Sequence, residues 1–262
     1  VPLLEVEGLS VSFGGLHALQ DIRFAVAEGA IHGLIGPNGA GKTTAFNCIT
    51  RLQTPTAGAI RFGGKDLLKV APHQVVRLGI ARTFQNLELC RNQSVLENVM
   101  LGLYHRVRAP HLTYPLFLPA ARRAEEASRQ EALALLERVG CWEYAQAPVA
   151  GLPYGVLKRV EFARALACKP RLLLLDEPAA GVTSGERSAL VQLIREARDS
   201  GITVLMVEHD ISLVMSLCDQ ITVLDFGRVI ADGTPDEVQN DPAVIAAYLG
   251  LEEEVDGHAS VG

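Results

Sequence analysis

Gly36-Pro37-Asn38-Gly39-Ala40-Gly41-Lys42-Thr43 is a glycine-spaced run that makes chemical sense where a strand hands over to a helix, and it leaves the chain around it few ways to fold. Upstream, Ala30 to Ile35 reads as a buried strand. Downstream, Thr44 to Leu52 puts Ala45, Ile49 and Leu52 on one helical face. The glycines let consecutive N–H groups turn inward toward phosphate oxygens, and a helix N-terminus adds about half a positive charge there. Lys42 is expected to reach the β- and γ-phosphates and the Thr43 hydroxyl to ligate Mg²⁺. The run therefore implies a nucleoside triphosphate site.

With 262 residues, the chain can bury one sizeable core, or one core with a smaller lobe. Its apolar stretches fall well short of the roughly 18 to 20 residues of a bilayer span, so a soluble chain is expected. A net charge of −6 argues against a nucleic-acid partner, which calls for a basic stripe. Five cysteines show no zinc or redox spacing and suit a reducing cytosol as small apolar fillers. Residues 3–31 read as antiparallel strands and turns, and 59–64 as a short strand. Roughly 88–168 reads as a helical lobe, with a capping box at Ser94 to Glu97 and a helix over Glu131 to Val139. The stretch Ala109-Pro110 through Pro119 reads as a loop.

After the lobe, strands and helices alternate, as in a parallel sheet covered on both faces. The strand at Arg171 to Asp176 precedes a helix that Ser184 can cap and Gly201 can end. The strand at Ile202 to Val207 precedes a helix capped by Asp210. A hairpin then turns at Phe226-Gly227, Thr234-Pro235 starts a short helix, and the tail after residue 250 is acidic and expected to be disordered.

Two strand ends carry the chemistry. Asp176 and Glu177 reach the open edge of the sheet together, where Asp176 would hold Mg²⁺ and Glu177 would polarise the attacking water. One strand later, His209 in Val207-Glu208-His209-Asp210 stands where a γ-phosphate can lie. Gln85, in Arg82-Thr83-Phe84-Gln85-Asn86, precedes the lobe and offers an amide to Mg²⁺.

In this order, these residues resemble the ATP-binding subunit of an ABC transporter: a Walker A loop at 36–43, a Q-loop at Gln85, a Walker B strand ending at Asp176-Glu177 and a switch His209. The resemblance implies an α/β fold, a P-loop NTPase with a RecA-like parallel core, an N-terminal antiparallel β subdomain and an inserted α-helical subdomain. It implies one domain over 1–250 that binds ATP and Mg²⁺ through Gly36 to Thr44 and Gln85, with Phe13 stacking on adenine. The implied partners are a second ATP-binding subunit, membrane-spanning permeases and, indirectly, a solute-binding protein, at the cytoplasmic face of the inner membrane. Ser12 to Leu19, Pro178 to Gly181 and Ala247-Tyr248-Leu249-Gly250 are similar to the subunit of branched-chain amino acid importers.

The family's Leu-Ser-Gly-Gly-Gln segment, which reaches the γ-phosphate held by the opposite subunit, is here Leu152-Pro153-Tyr154-Gly155-Val156. Pro153 has neither hydroxyl nor N–H. A lost hydrogen bond to a charged phosphate costs about 1.5 to 3 kcal/mol, so slower turnover at the opposite site is expected. Thr183 stands where the family has an acid or asparagine, which weakens the case for normal communication between the sites, whereas Arg159 remains. Rival readings are the ATPase of a lipopolysaccharide-type exporter, a soluble ABC ATPase acting on DNA or ribosomes, and a phosphotransferase kinase.

Overall fold

β1 (Pro2–Phe13) and β2 (Leu16–Ala27) form a long hairpin in the computed structural model, which describes residues 1–83, 87–104 and 119–248. Leu4, Val6, Leu9 and Val11 of β1 face Ile22, Phe24 and Val26 of β2 in one buried cluster. After them come β3 (Ile31–Ile35), α1 (Lys42–Ile49), β4 (Ala57–Phe62), β5 (Lys65–Asp66) and β6 (Ile80–Arg82). The helices α2 (Val95–Leu103), α3 (Pro119–Arg138) and α4 (Tyr154–Ala167) pack on one another. The chain then runs through β7 (Leu172–Asp176), α5 (Ser184–Asp199), β8 (Thr203–Val207), α6 (Ile211–Leu217), β9 (Gln220–Asp225), β10 (Arg228–Gly233) and α7 (Pro235–Gln239). A last helix covers 242–248.

An antiparallel sheet of order β2-β1-β4-β5 sits beside a six-stranded sheet of order β10-β9-β3-β8-β7-β6. In the second sheet every pair is parallel except β9–β10. β7 shows why its run is apolar throughout. Leu172 and Leu174 join a cluster with Phe46 and Ile49 of α1 and Phe62 of β4, while Leu173 and Leu175 join the opposite cluster with Val160, Ala163 and Ile194. A strand covered on both faces has no side to leave polar.

Two expectations need correction. Thr183, not Ser184, caps α5: Glu186 N–H donates to Thr183 Oγ1 at 3.4 Å and Thr183 N–H donates to Glu186 Oε2 at 2.9 Å. The acid that closes a capping box stands three residues after the cap, and here that acid is Glu186. Pro119 opens α3 instead of ending the loop, because a first-turn residue needs no N–H partner. Gln85, the rest of the proline-bearing stretch and the acidic tail lie outside the described residues. The caps expected at Ser94 and Asp210 are present, and the short helix expected from Thr234-Pro235 is α7, which Thr234 caps. All five cysteines are free, Cys48, Cys141 and Cys218 being buried.

Candidate nucleotide site

Parallel register levels three strand ends. Leu34 of β3 pairs with Val207 of β8, and Val207 pairs in turn with Asp176 of β7. The residues that leave these strands, Gly36, Glu177 and Glu208-His209, therefore emerge at one edge of the sheet. The Glu177 N–H donates to Val207 O at 2.9 Å, which ties two of the ends together. A crevice beyond the carboxyl ends of parallel strands is where such sheets bind ligands.

Packing as well as conformation demands glycine in the phosphate loop. Gly41, the cap of α1, has φ 103°, and a Cβ there would meet Ala18 O at 2.6 Å. At Gly36, with φ 145°, a Cβ would lie 1.9 Å from Leu224 O. The Lys42 ammonium bends back over the loop, donating to the carbonyls of Gly36 at 2.7 Å and Pro37 at 2.9 Å. Burial lowers its pKa from the ordinary lysine value, against the pull of the Glu177 and Asp176 carboxylates. The Tyr248 phenol, beside Gly36 and Asp225, is pushed up to about 12 by burial. A cleft of about 680 Å³ opens over Asn38, Gly39, Gly41, Lys42, Thr43, Thr44 and Glu177, with Leu16 and Phe226 also in its lining. Gly36, Pro37 and Ala40 of the same loop are buried and do not line the cleft.

Asp176 is buried and accepts from Arg82 Nη2 at 2.6 Å, and Arg82 Nη1 donates to Asn47 of α1 at 2.7 Å. Glu177, at φ 46°, occupies a region that bulky residues rarely adopt unless the surroundings hold them there. His209 is exposed, and its Nδ1 lies 3.9 Å from both Glu177 Oε2 and Glu208 Oε2. Buried Glu208 accepts from the Ala179 N–H at 2.9 Å and the His209 N–H at 3.3 Å, linking the segment after β7 to the histidine. Burial raises the Glu208 pKa, opposed by those N–H groups. Arg187 of α5 pairs with Asp210 in a second tie between the same segments. No cluster of three or more His, Cys, Asp and Glu suited to a metal occurs among the described residues. A hydroxyl and a carboxylate at Thr43 and Asp176 do fit Mg²⁺, which takes few protein oxygens and completes its shell with substrate phosphates and water.

Leu152 to Val156 do not line this cleft. Pro153 caps α4 without a side-chain bond, and its carbonyl accepts from Val156 N–H at 3.0 Å and Leu157 N–H at 3.1 Å. Tyr154 is 40% exposed, Gly155 packs on Glu186, and Val156 is buried in the lobe's cluster. Arg159 donates to the carbonyls of Val139 and Gly140 at 3.2 and 3.1 Å, bracing the end of α3. Phe13, 48% exposed, ends β1 and also lies outside the cleft lining.

Sequence reasoning passed over Arg82, Glu208 and Phe226. Arg82 stood three residues before the glutamine that drew attention. Phe226 carried a signal in its place: a bulky aromatic at the first position of a two-residue turn, where Asn or Gly is favoured.

A glycine-wrapped lysine, a strand-end acid pair and a histidine at one edge of a parallel sheet, with an antiparallel sheet beside it and helices packed alongside, define a nucleotide-binding cassette. The sequence matches the family described as ABC transporter over residues 19–180, and branched-chain amino acid ATP-binding cassette transporter over 228–254. The chain belongs to the ABC transporter family and is an ABC-type ATPase. It is 42% identical over 250 residues to the high-affinity branched-chain amino acid transport ATP-binding protein BraF of Pseudomonas aeruginosa, covering 95% of this chain and 98% of that protein. To LivG of Escherichia coli, named for the same transport, it is 41% identical with the same coverage. Among solved structures, the ADP conformation of an ABC transporter cassette aligns with a TM-score of 0.82 and 30% identity over 95% of this chain and 99% of that one. A dimeric post-hydrolysis cassette bound to ADP and Pi aligns with 0.76 and 25% identity over 88% of this chain and 98% of that one.

Proposed function

We propose that the chain is the ATPase subunit of a branched-chain amino acid importer. The observation that carries its chemistry is the shared register of β3, β8 and β7, which delivers the phosphate loop, Glu177 and His209 to one edge. Lys42 and the loop amides hold the phosphates. Glu177 draws a proton from the attacking water, and His209 donates to the γ-phosphate, aligned by Glu208. Thr43, Asp176 and Gln85 would hold Mg²⁺, which would supply neutralisation of phosphate charge. Arg82 keeps the Asp176 carboxylate turned and pinned.

The substrate class rests on the high-coverage relatives named for that transport and on the match over 228–254. One ATP-binding domain spans 1–250, with a helical subdomain inserted over about 88–168. A second ATP-binding subunit would complete the site, as the dimeric relative suggests by analogy. No helix among the described residues is long and apolar enough to cross a membrane, in keeping with a peripheral subunit docked on permeases at the cytoplasmic face and coupled indirectly to a solute-binding protein. A groove of about 500 Å³ lined by Leu52, Val75, Val76, Leu101, Arg164 and Cys168 supports that docking.

The test is reconstitution with permeases and a solute-binding protein of a branched-chain amino acid importer. ATP hydrolysis and uptake in liposomes should rise with leucine, isoleucine or valine. Hydrolysis indifferent to these amino acids, but stimulated by another solute, would reassign the importer.

A further inference from the structure

His209 is exposed, so its placement at the sheet edge depends on the residues on either side of it. Both are acids, and both reach back to the segment that follows β7. On one side, Glu208 is fully buried and accepts from the Ala179 N–H at 2.9 Å. A buried carboxylate needs such partners, which fixes the approach to the histidine. On the other side, Asp210 opens α6, and its two oxygens have separate partners. Oδ1 accepts from the Leu213 N–H at 3.1 Å and the Ser212 hydroxyl at 2.6 Å, which completes the cap. Oδ2 accepts from Nη1 of Arg187, a residue of α5. Ser212, Leu213 and Arg187 together hold the Asp210 carboxyl below its usual range.

The arginine is not needed for the cap, because one side-chain oxygen is enough to start a helix. It also stands near the N-terminus of α5, where the helix dipole disfavours a cation. What the pair accomplishes is geometric. The bonds of Asp210 to Ser212, Leu213 and Val214 run within α6 itself and do not fix that helix against α5. The bond to Arg187 does, and it does so on the side of His209 that Glu208 does not reach.

We infer that Arg187 is a positioning residue for His209: by holding Asp210 it keeps the imidazole at the edge where Glu177 emerges, with Nδ1 3.9 Å from Glu177 Oε2. This deepens the ATPase reading above and rests on His209 acting at the γ-phosphate. A partly exposed ion pair adds little to stability, so its contribution falls on rate and not on melting. A reacting group displaced by about 1 Å can lose about 100-fold in rate, and one tie among several should account for roughly 3- to 10-fold.

Single-turnover phosphate release and ADP calorimetry on the full chain, both with Mg²⁺, test the assignment. Arg187→Met, which keeps an unbranched stem, should slow hydrolysis by roughly 3- to 10-fold, with ADP affinity within about twofold and the melting temperature within about 1 °C of the parent. Arg187→Lys should recover most of the rate. Asp210→Asn, which keeps a capping oxygen, should reproduce the loss seen in Arg187→Met. In a His209→Ala background, Arg187→Met should have no further effect, since residues that act as a unit are not additive. A parental rate in Arg187→Met, an equal loss of ADP affinity, or an undiminished loss on top of His209→Ala would each overturn the positioning role. If His209→Ala alone hydrolyses ATP at the parental rate, the role of the histidine itself fails, and that of Arg187 with it.

Discussion

In the phosphate loop, glycines wedged against Ala18 and Leu224 curl the chain around a lysine that its own carbonyls hold. At the start of α4, Pro153 caps the helix with no side-chain bond, Tyr154 stands partly in solvent under the Lys158 ammonium, and Gly155 packs on Glu186. Both regions are glycine-bearing entries into a helix. The first is finished within the chain, packed from several sides and lined with charge. The second has a partly exposed tyrosine in its first turn and does not line the cleft of the phosphate loop. The contrast teaches that glycine at a helix start reveals little about a site until the groups around it are known.

The comparison can be broken most severely at the acid that serves the finished site. Glu177→Gln should cut kcat by roughly 10²- to 10⁴-fold with ATP still bound, read by phosphate release and calorimetry on the same preparation. An unaffected rate would remove Glu177 from the chemistry. Next is Lys42→Ala, for which calorimetry should show about 100-fold weaker ATP binding, since hydrogen bonds from an ammonium to phosphate are charge-assisted.

At the unfinished site, Pro153→Ser restores a hydroxyl and an N–H to the cap of α4. Steady-state hydrolysis should rise by about tenfold, from one recovered bond to phosphate. An identical rate would discard the idea that Pro153 slows the partner's site. Val156 is a poorer target, because its side chain is buried in the lobe and glutamine there would strand an amide. The smallest effect should come from Gly155→Ala. A Cβ at Gly155 would lie 1.8 Å from Glu186 Oε1, so Glu186 must swing away and abandon the Thr183 cap of α5. A lost cap costs about 1 kcal/mol, and thermal melts should fall by roughly 2 to 4 °C.

Much of this was legible in the residues themselves. The Ser94 and Thr234 boxes, the strand at Leu172 to Asp176 and the hairpin at Phe226-Gly227 all follow from interactions within a few positions of one another. The cap of α5 is misplaced by one residue in the sequence reading because Thr183 and Ser184 both carry a hydroxyl, and the acid that chooses between them, Glu186 three residues after Thr183, was not weighed. Arg82 reaches Asp176 across 94 positions, a pairing that no local pattern announces. Phe226 was visible as a turn residue and invisible as a cleft residue, since Leu16 and Lys42, which line the same cleft, come from β2 and α1.

By itself, then, the order of amino acids determined the phosphate loop, the buried strands and most helix starts, because backbone dihedrals, caps and apolar spacing are short-range properties. Tertiary structure alone decided that β3, β8 and β7 end level, that Arg82 turns to Asp176, and that Phe226 lines the cleft while Phe13 does not. Those outcomes depend on strand register and packing between segments far apart in the chain, where the energy of each contact exists only after the whole sheet has assembled.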